Sequence, residues 1–203
     1  MKKIIISLLF LLLLIQSPII AQQFGAGIIA GVTASQINGD ESAGYNKLGI
    51  TAGILSTINI NEKKYIGIEM LYSQRGSQDK YLSKTGQGLL VNLQYVSVPV
   101  YFGIKDWLQE DNDYYKVHFQ GGLSYGRLIA AKWNGSDTDS RATNLKKNDL
   151  SFLLGARFFL NKKLGVEGRY NRSITLLARN NTFTYKYNLL SHFLSFAIIY
   201  RIL

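Results

Sequence analysis

The chain has 203 residues, a formal net charge of +10, 19 glycines, 13 tyrosines and no cysteine. This length suits one domain, and the lack of cysteine excludes a secreted fold stapled by disulfides. Glycine and tyrosine are poor helix formers, and they recur within the apolar stretches, so the composition indicates an all-β fold.

The first 21 residues have the pattern of an export signal. Lys2 and Lys3 precede an apolar run from residue 4 to 15, and the small residue Ala21 follows. This pattern predicts a signal peptide over residues 1–21, cleaved after Ala21, and a mature domain over residues 22–203. The run is too short for a spanning helix, which needs roughly 20 apolar residues. An exported basic chain is expected to contact an anionic surface, and nucleic acid is an unsuitable partner.

Eight segments of the mature chain alternate between apolar and polar or small residues, as β-strands do. They lie at residues 24–33, 48–58, 65–75, 95–104, 116–126, 150–158, 164–171 and 190–202. The connections alternate between shorter ones (59–64, 105–113, 161–163) and longer ones (38–47, 76–88, 131–148, 174–188). Pro99 lacks a backbone N–H, so it is expected near a strand end or at a bulge.

The two faces of these strands differ in charge, and the difference predicts which face meets lipid. One face is apolar, and the opposite face carries glycines and charged residues such as Arg75, Lys116 and His118. The pattern therefore predicts an eight-stranded antiparallel transmembrane β-barrel, built as an up-and-down meander, with its apolar face outward. A lumen ion-pair network is predicted from Glu69, Arg157, Glu167, Arg169 and Arg201. It forms either a polar conduit or, as we favour, a satisfied plug that fills the interior.

Aromatic residues near strand ends predict the two interfacial girdles of such a barrel. The predicted girdle consists of Tyr72, Trp107, Tyr114, Tyr125, Trp133 and Tyr170. His192, the polar member of the apolar face of the last strand, is expected near the outer interface.

Four motifs resemble the small outer-membrane β-barrel proteins of Bacteroidota, the PorT-like or OmpX/OmpA-like porin family. They are Leu71–Gly76, Gln94–Pro99, Gly121–Gly126 and Val166–Tyr170. The resemblance implies an outer-membrane location, insertion by the barrel-assembly machinery and, for PorT itself, a link to protein secretion. It also implies an assembly signal of alternate apolar residues in the last strand, here Leu194, Phe196, Ile198, Tyr200 and Ile202. Members usually end in an aromatic residue, whereas this chain has Ile202 and Leu203.

The residues give little support for catalysis, and we expect a non-enzyme without metal or cofactor. The chain has 2 His and no Cys, and Ser191 and His192 point to opposite faces. Expected contacts are outer-membrane lipid and lipopolysaccharide, and a monomer is expected. A structural or surface-interaction role is favoured. The alternatives are a PorT-like secretion component, a soluble lipocalin-like periplasmic binder and a lipid A-modifying enzyme that uses His118 or His192.

Overall fold

The computed structural model describes residues 24–39, 44–79, 90–134, 144–178 and 188–203. Within these ranges the chain forms eight strands and one short 3-10 helix, Glu110–Asn112. The strands are β1 (Phe24–Asn38), β2 (Lys47–Asn59), β3 (Lys64–Gln78), β4 (Leu90–Gln109), β5 (Tyr114–Trp133), β6 (Asn148–Phe159), β7 (Leu164–Ser173) and β8 (Leu190–Arg201). The predicted signal peptide and its cleavage site lie outside the described residues.

The strands close into a single antiparallel barrel in chain order. Each strand pairs with the next, and β8 pairs with β1 from Gly27↔Arg201 to Asn38↔Leu190. The predicted eight-stranded meander is therefore confirmed. The connections 60–63, 110–113 and 160–163 lie at one end, which we call the turn end, together with Phe24 and Leu203. The four longer connections join strand ends at the other end, which we call the loop end: Asn38 to Lys47, Gln78 to Leu90, Trp133 to Asn148, and Ser173 to Leu190.

Two of the short turns are built in the same way by an asparagine. The side-chain oxygen of Asn61 accepts hydrogen bonds from the backbone N–H groups of Lys63 and Lys64, at 3.0 and 2.8 Å. Asn161 does the same for the N–H groups of Lys163 and Leu164, at 2.8 and 2.7 Å. An asparagine that replaces backbone partners in this way stabilises a tight turn.

The alternation of side chains places the apolar face outside. In β3 the outward residues Ile66, Ile68 and Met70 are 45%, 49% and 56% exposed, whereas Glu69 between them is 2% exposed. A soluble ligand-binding barrel requires the opposite arrangement, with apolar side chains inside. The belt of exposed isoleucine, valine, leucine and phenylalanine is the surface expected of a barrel that contacts lipid.

The β4–β5 hairpin extends further than the sequence pattern predicts. Residues 105–109 are not a loop but continue β4, and β4 and β5 are each 20 residues long. Pro99 lies inside β4, not near its end. Pairing with β3 stops after Ile68↔Val100 and resumes in the same register at Leu71↔Ser97. Pro99 supplies no N–H at this point, so the barrel accepts a local gap in one ladder.

A β-bulge in β5 reverses the side-chain direction at its loop end. Gln94 pairs with Ala130 and Tyr95 with Leu128, which leaves Ile129 as the extra residue. One inserted residue moves every later side chain to the other face. Trp133 therefore points inward and is 4% exposed. Its predicted place in the outer girdle is wrong.

Candidate functional site

The centre of the barrel holds a charge-balanced cluster of two glutamates and two arginines. Arg157 donates to Glu69 through Nη2 and to Glu167 through Nε, both at 2.6 Å. Arg169 donates to both oxygens of Glu69 at 2.7 and 2.8 Å and to Glu167 at 2.9 Å. Tyr101 accepts a further hydrogen bond from Arg157 at 2.9 Å. Each of the four charged residues is no more than 4% exposed.

The register explains why these residues meet. Arg157 of β6 lies directly opposite Glu167 of β7, and Arg169 follows two positions later on the same face. Glu69 projects from β3, on the far wall of the closed barrel. Gln120 of β5 adds a hydrogen bond to Glu167 at 2.8 Å. The central cluster thus connects opposite walls, which the alternation within single strands does not reveal.

Inward glycines leave room for aromatic rings beside this cluster. A Cβ added to Gly67 would collide with the ring of Tyr101, and one added to Gly103 would collide with the ring of Tyr65. Gly165 accommodates Phe159 in the same manner. The space beside these three glycines is therefore occupied by aromatic rings.

A second ion pair lies at the loop end. Arg75 donates to Asp149 at 3.0 Å and to the hydroxyl of Ser73 at 3.1 Å. Its guanidinium lies 4.6 Å from the ring centre of Tyr95 and 4.1 Å from that of Phe193, which are cation–π distances. Asp149 was not among the predicted lumen residues, although it shares its inward direction with Ser151 two positions later.

An apolar cluster covers this loop-end ion pair. Its buried members come from strand ends and from the loop-end connections. They are Ile37, Val91, Leu93, Tyr95, Trp133, Leu145, Leu177, Ala178 and Leu189. Packed apolar side chains of this kind fill the loop end of the lumen, so the geometry favours a plug over a conduit.

Arg201 faces the lumen but does not join the predicted ion-pair network. Its Cζ lies 3.6 Å from the ring centre of Phe159, and its Nη2 lies 3.4 and 3.5 Å from the two ring nitrogens of His118. Among the described residues it forms no ion pair with a carboxylate. Arg201 is the last residue of β8 and lies at the turn end, whereas Glu69 and Glu167 lie nearer the centre of the barrel. The prediction that Arg201 belongs to the ion-pair network is therefore wrong.

Four of the six predicted girdle residues lie on the outer face. Tyr72, Tyr125 and Tyr170 face outward toward the loop end of their strands, and Trp107 is 60% exposed near the turn end. Lys116 lies over the ring of Trp107 at 5.4 Å. Tyr114 instead packs against an inner apolar cluster, and its hydroxyl donates to the carbonyl of Leu160 at 3.1 Å. Tyr114 lies four residues before His118, and an even separation along a strand places both side chains on the same, inward face. The prediction that Tyr114 belongs to the outer girdle is therefore wrong.

The predicted assembly residues of β8 share the outward face. Phe196, Ile198, Tyr200 and Ile202 are 43% to 58% exposed, and Leu194 is half-buried. Their part in assembly stays a prediction, and the arrangement fixes only the direction in which they point.

Both histidines lie against aromatic rings. His118 is enclosed by the rings of Tyr65 and Phe159 and lies 3.3 Å from the carbonyl of Tyr115. His192 contacts the edge of Tyr45 at the loop end, with ring centres 5.1 Å apart. Burial, with a smaller contribution from Tyr170, raises the pKa of the Tyr45 hydroxyl. The described residues contain no group of three or more His, Cys, Asp or Glu that could hold a metal.

Among the described residues, no helix has the length and apolar character needed to cross a membrane.

Comparison with known proteins gives one family and several similar folds. Residues 20–179 match the family described as "Outer membrane protein beta-barrel domain". The attachment invasion locus protein Ail of Yersinia pestis is similar with a TM-score of 0.52 and 13% identity, over 89% of this chain and 99% of Ail. Neisserial surface protein A is similar with a TM-score of 0.50 and 12% identity, over 88% of this chain and 96% of that one. At such identities the likeness shows the fold alone. No curated protein matches the chain.

Proposed function

Because the chain belongs to the outer membrane protein beta-barrel family, we propose that it is an integral outer-membrane barrel with a structural or surface-interaction role. The observation that carries this proposal is the division between the two faces. The outside is an apolar belt, and the centre is a buried, charge-balanced cluster of Glu69, Glu167, Arg157 and Arg169. Such a wall is stable in lipid, and such a filled interior stabilises the barrel without a channel.

The position of the long connections supports a role at the cell surface. All four of the longer connections join strand ends at the loop end, and the three short turns lie at the turn end. Barrels of the outer membrane place short turns in the periplasm and long loops outside. Exposed Lys146 and Lys147 at the loop end suit contact with anionic lipopolysaccharide. Export by a cleaved signal peptide and a monomeric state belong to the same proposal.

The absence of catalysis is also part of the proposal. It is supported by His118, whose neighbours in the described part of the chain are rings, a carbonyl and a guanidinium. A histidine can act as a general acid or base only where it lies within hydrogen-bond reach of the group whose proton it transfers. A deletion strain should therefore have lipid A of unchanged mass. A mass shift that the complementing gene reverses would instead favour a lipid A-modifying enzyme.

A link to protein secretion, as in PorT-like proteins, remains the narrower form of the proposal. It rests on the motifs Leu71–Gly76 and Gln94–Pro99, which resemble those of the PorT-like proteins of Bacteroidota. Secretome profiles of the deletion strain test it, because a secretion component should reduce many exported proteins together. An unchanged secretome would restrict the role to the membrane and the surface.

Two neighbouring residues of β2 provide the decisive test of membrane insertion. Ile54 is 58% exposed and Leu55 is 6% exposed, and the chain has no cysteine. Ile54→Cys and Leu55→Cys therefore yield single labelling sites one residue apart. A fluorophore at position 54 should be quenched by brominated lipid, whereas one at position 55 should not. The reverse pattern, or recovery of the protein in the soluble periplasmic fraction, would overturn the proposal.

A further inference from the structure

Positive charge is unbalanced at the turn end of the lumen. The central cluster has two glutamates and two arginines, and the loop-end Arg75 is paired with Asp149. At the turn end, Arg201 and Lys105 have no ion-pair partner among the carboxylates of residues 24–39, 44–79, 90–134, 144–178 and 188–203. Cations shielded from water without a counter-charge are costly, so an anion from outside the chain would be stabilised here.

These two cations line a cavity that is open to a small ligand. The turn-end cavity has a volume of about 190 Å³. Its polar lining comes from Thr57, Asn59, Tyr65, Lys105, His118 and Arg201, and Phe24, Gly25 and Leu203 form its edge. Since one water takes up ~30 Å³ of liquid, the cavity has space for an oxyanion of the size of phosphate.

The hydrogen-bond donors in the cavity are only partly used. Lys105 donates through Nζ to the neutral side-chain oxygen of Asn59 at 2.7 Å. Arg201 reaches His118 only at 3.4 and 3.5 Å. Tyr65 lines the cavity, and its hydroxyl is shielded from water beside it and has no hydrogen-bond partner among the described residues. A lysine has three N–H donors and an arginine five, so both retain donors for a ligand.

The aromatic neighbours hold these donors in place. Phe159 lies against the guanidinium of Arg201 at 3.6 Å, and Lys105 lies 5.8 Å from the ring centre of Tyr65. Tyr65 is itself seated on Gly103, where a Cβ would collide with its ring. Donors fixed in this way lose little side-chain freedom when a ligand binds, and that favours binding.

We propose that the turn-end cavity binds a phosphate-class oxyanion through Arg201, Lys105 and the hydroxyl of Tyr65. The planar guanidinium suits two oxygens of such a group, and the ammonium and the phenol donate to the others. The ligand is either free phosphate or the phosphate of a phospholipid headgroup. Free phosphate and a headgroup phosphate require the same hydrogen-bond donors from the protein. The exposed edge at Phe24 and Leu203 admits either ligand.

The test uses the full chain, refolded in a zwitterionic detergent without phosphate. Inorganic phosphate is titrated in by calorimetry. In a second arm, native mass spectrometry counts phosphatidylglycerol retained from nanodiscs whose other lipid is a galactolipid without phosphate. The variants are Arg201→Gln, Lys105→Gln and Tyr65→Phe, which keeps the ring. Lys163→Gln, at an exposed turn lysine, is the matched control for charge. Heat-modifiable migration on gels verifies that each variant is folded.

Saturable phosphate binding should weaken about tenfold or more in Arg201→Gln and in Lys105→Gln and about threefold in Tyr65→Phe, with no change in Lys163→Gln. The same ranking for phosphatidylglycerol alone would identify the headgroup as the source of the oxyanion. Binding in neither arm overturns the proposal, as does an equal loss in Arg201→Gln and Lys163→Gln, which indicates diffuse attraction. If Arg201→Gln does not fold, Lys105→Gln and Tyr65→Phe decide by the same criteria.

Discussion

Neutralising Glu69 should destabilise the barrel strongly, because this side chain holds both arginines of the central cluster. It accepts one hydrogen bond from Arg157 at 2.6 Å and two from Arg169 at 2.7 and 2.8 Å. Glu69→Gln keeps the shape but turns an acceptor into a donor and leaves a net buried positive charge. Breaking a buried pair on one side costs about 3–5 kcal/mol of the free energy of unfolding.

The double variant Glu69→Gln/Arg169→Gln separates loss of charge balance from loss of packing. It restores neutrality and leaves the pair of Arg157 and Glu167 intact. Its cost should fall short of the sum of the two single costs by about 0.5–3 kcal/mol, the usual coupling between members of one network. Glu62→Gln, at an exposed turn position, is the control and should lie within about 0.5 kcal/mol of the wild type.

Urea unfolding in lipid bilayers of fixed composition measures these differences, with the folded fraction read from heat-modifiable migration. The reasoning is refuted if Glu69→Gln unfolds at the same urea concentration as Glu62→Gln. It is also refuted if the double variant is as unstable as the sum of the single ones, since the cluster would then not act as a unit.

Two further predictions concern packing and orientation. Gly67→Ala should cost about 1–3 kcal/mol in the same urea assay, because its Cβ would collide with the ring of Tyr101. Gly168→Ala is the control, since its Cβ would lie in ordinary contact 3.8 Å from the Phe196 ring; equal effects would contradict the packing argument. The chain has 2 tryptophans, so Trp107→Phe and Trp133→Phe each leave one fluorophore. Brominated lipid should quench the fluorescence of Trp107 in Trp133→Phe and should not quench that of Trp133 in Trp107→Phe. Quenching of both tryptophans would rule out the inward direction of Trp133 after the bulge.

The membership of the central cluster illustrates what alternation along the chain predicts. The inward direction of Glu69, Arg157, Glu167 and Arg169 follows from the period of two, since their neighbours on either side are apolar residues or Gly168. Arg201 obeys the same rule for direction, yet it pairs with the ring of Phe159 and with His118. Period two identifies a face but says nothing about depth along the barrel axis, and depth determines which charges meet.

The sequence by itself determined the barrel, its eight strands and the face that meets lipid, because these depend on alternation within each strand. Tertiary structure alone decided three other features. The bulge at Ile129 turned Trp133 inward, because one extra residue exchanges the two faces for every later side chain of the strand. The sequence around Ile129 does not reveal the bulge. The gap beside Pro99 placed a proline inside a ladder. Closure of β8 onto β1 and the stagger between strands fixed which inward residues share a layer, so the central cluster is balanced and the turn-end cavity remains positive.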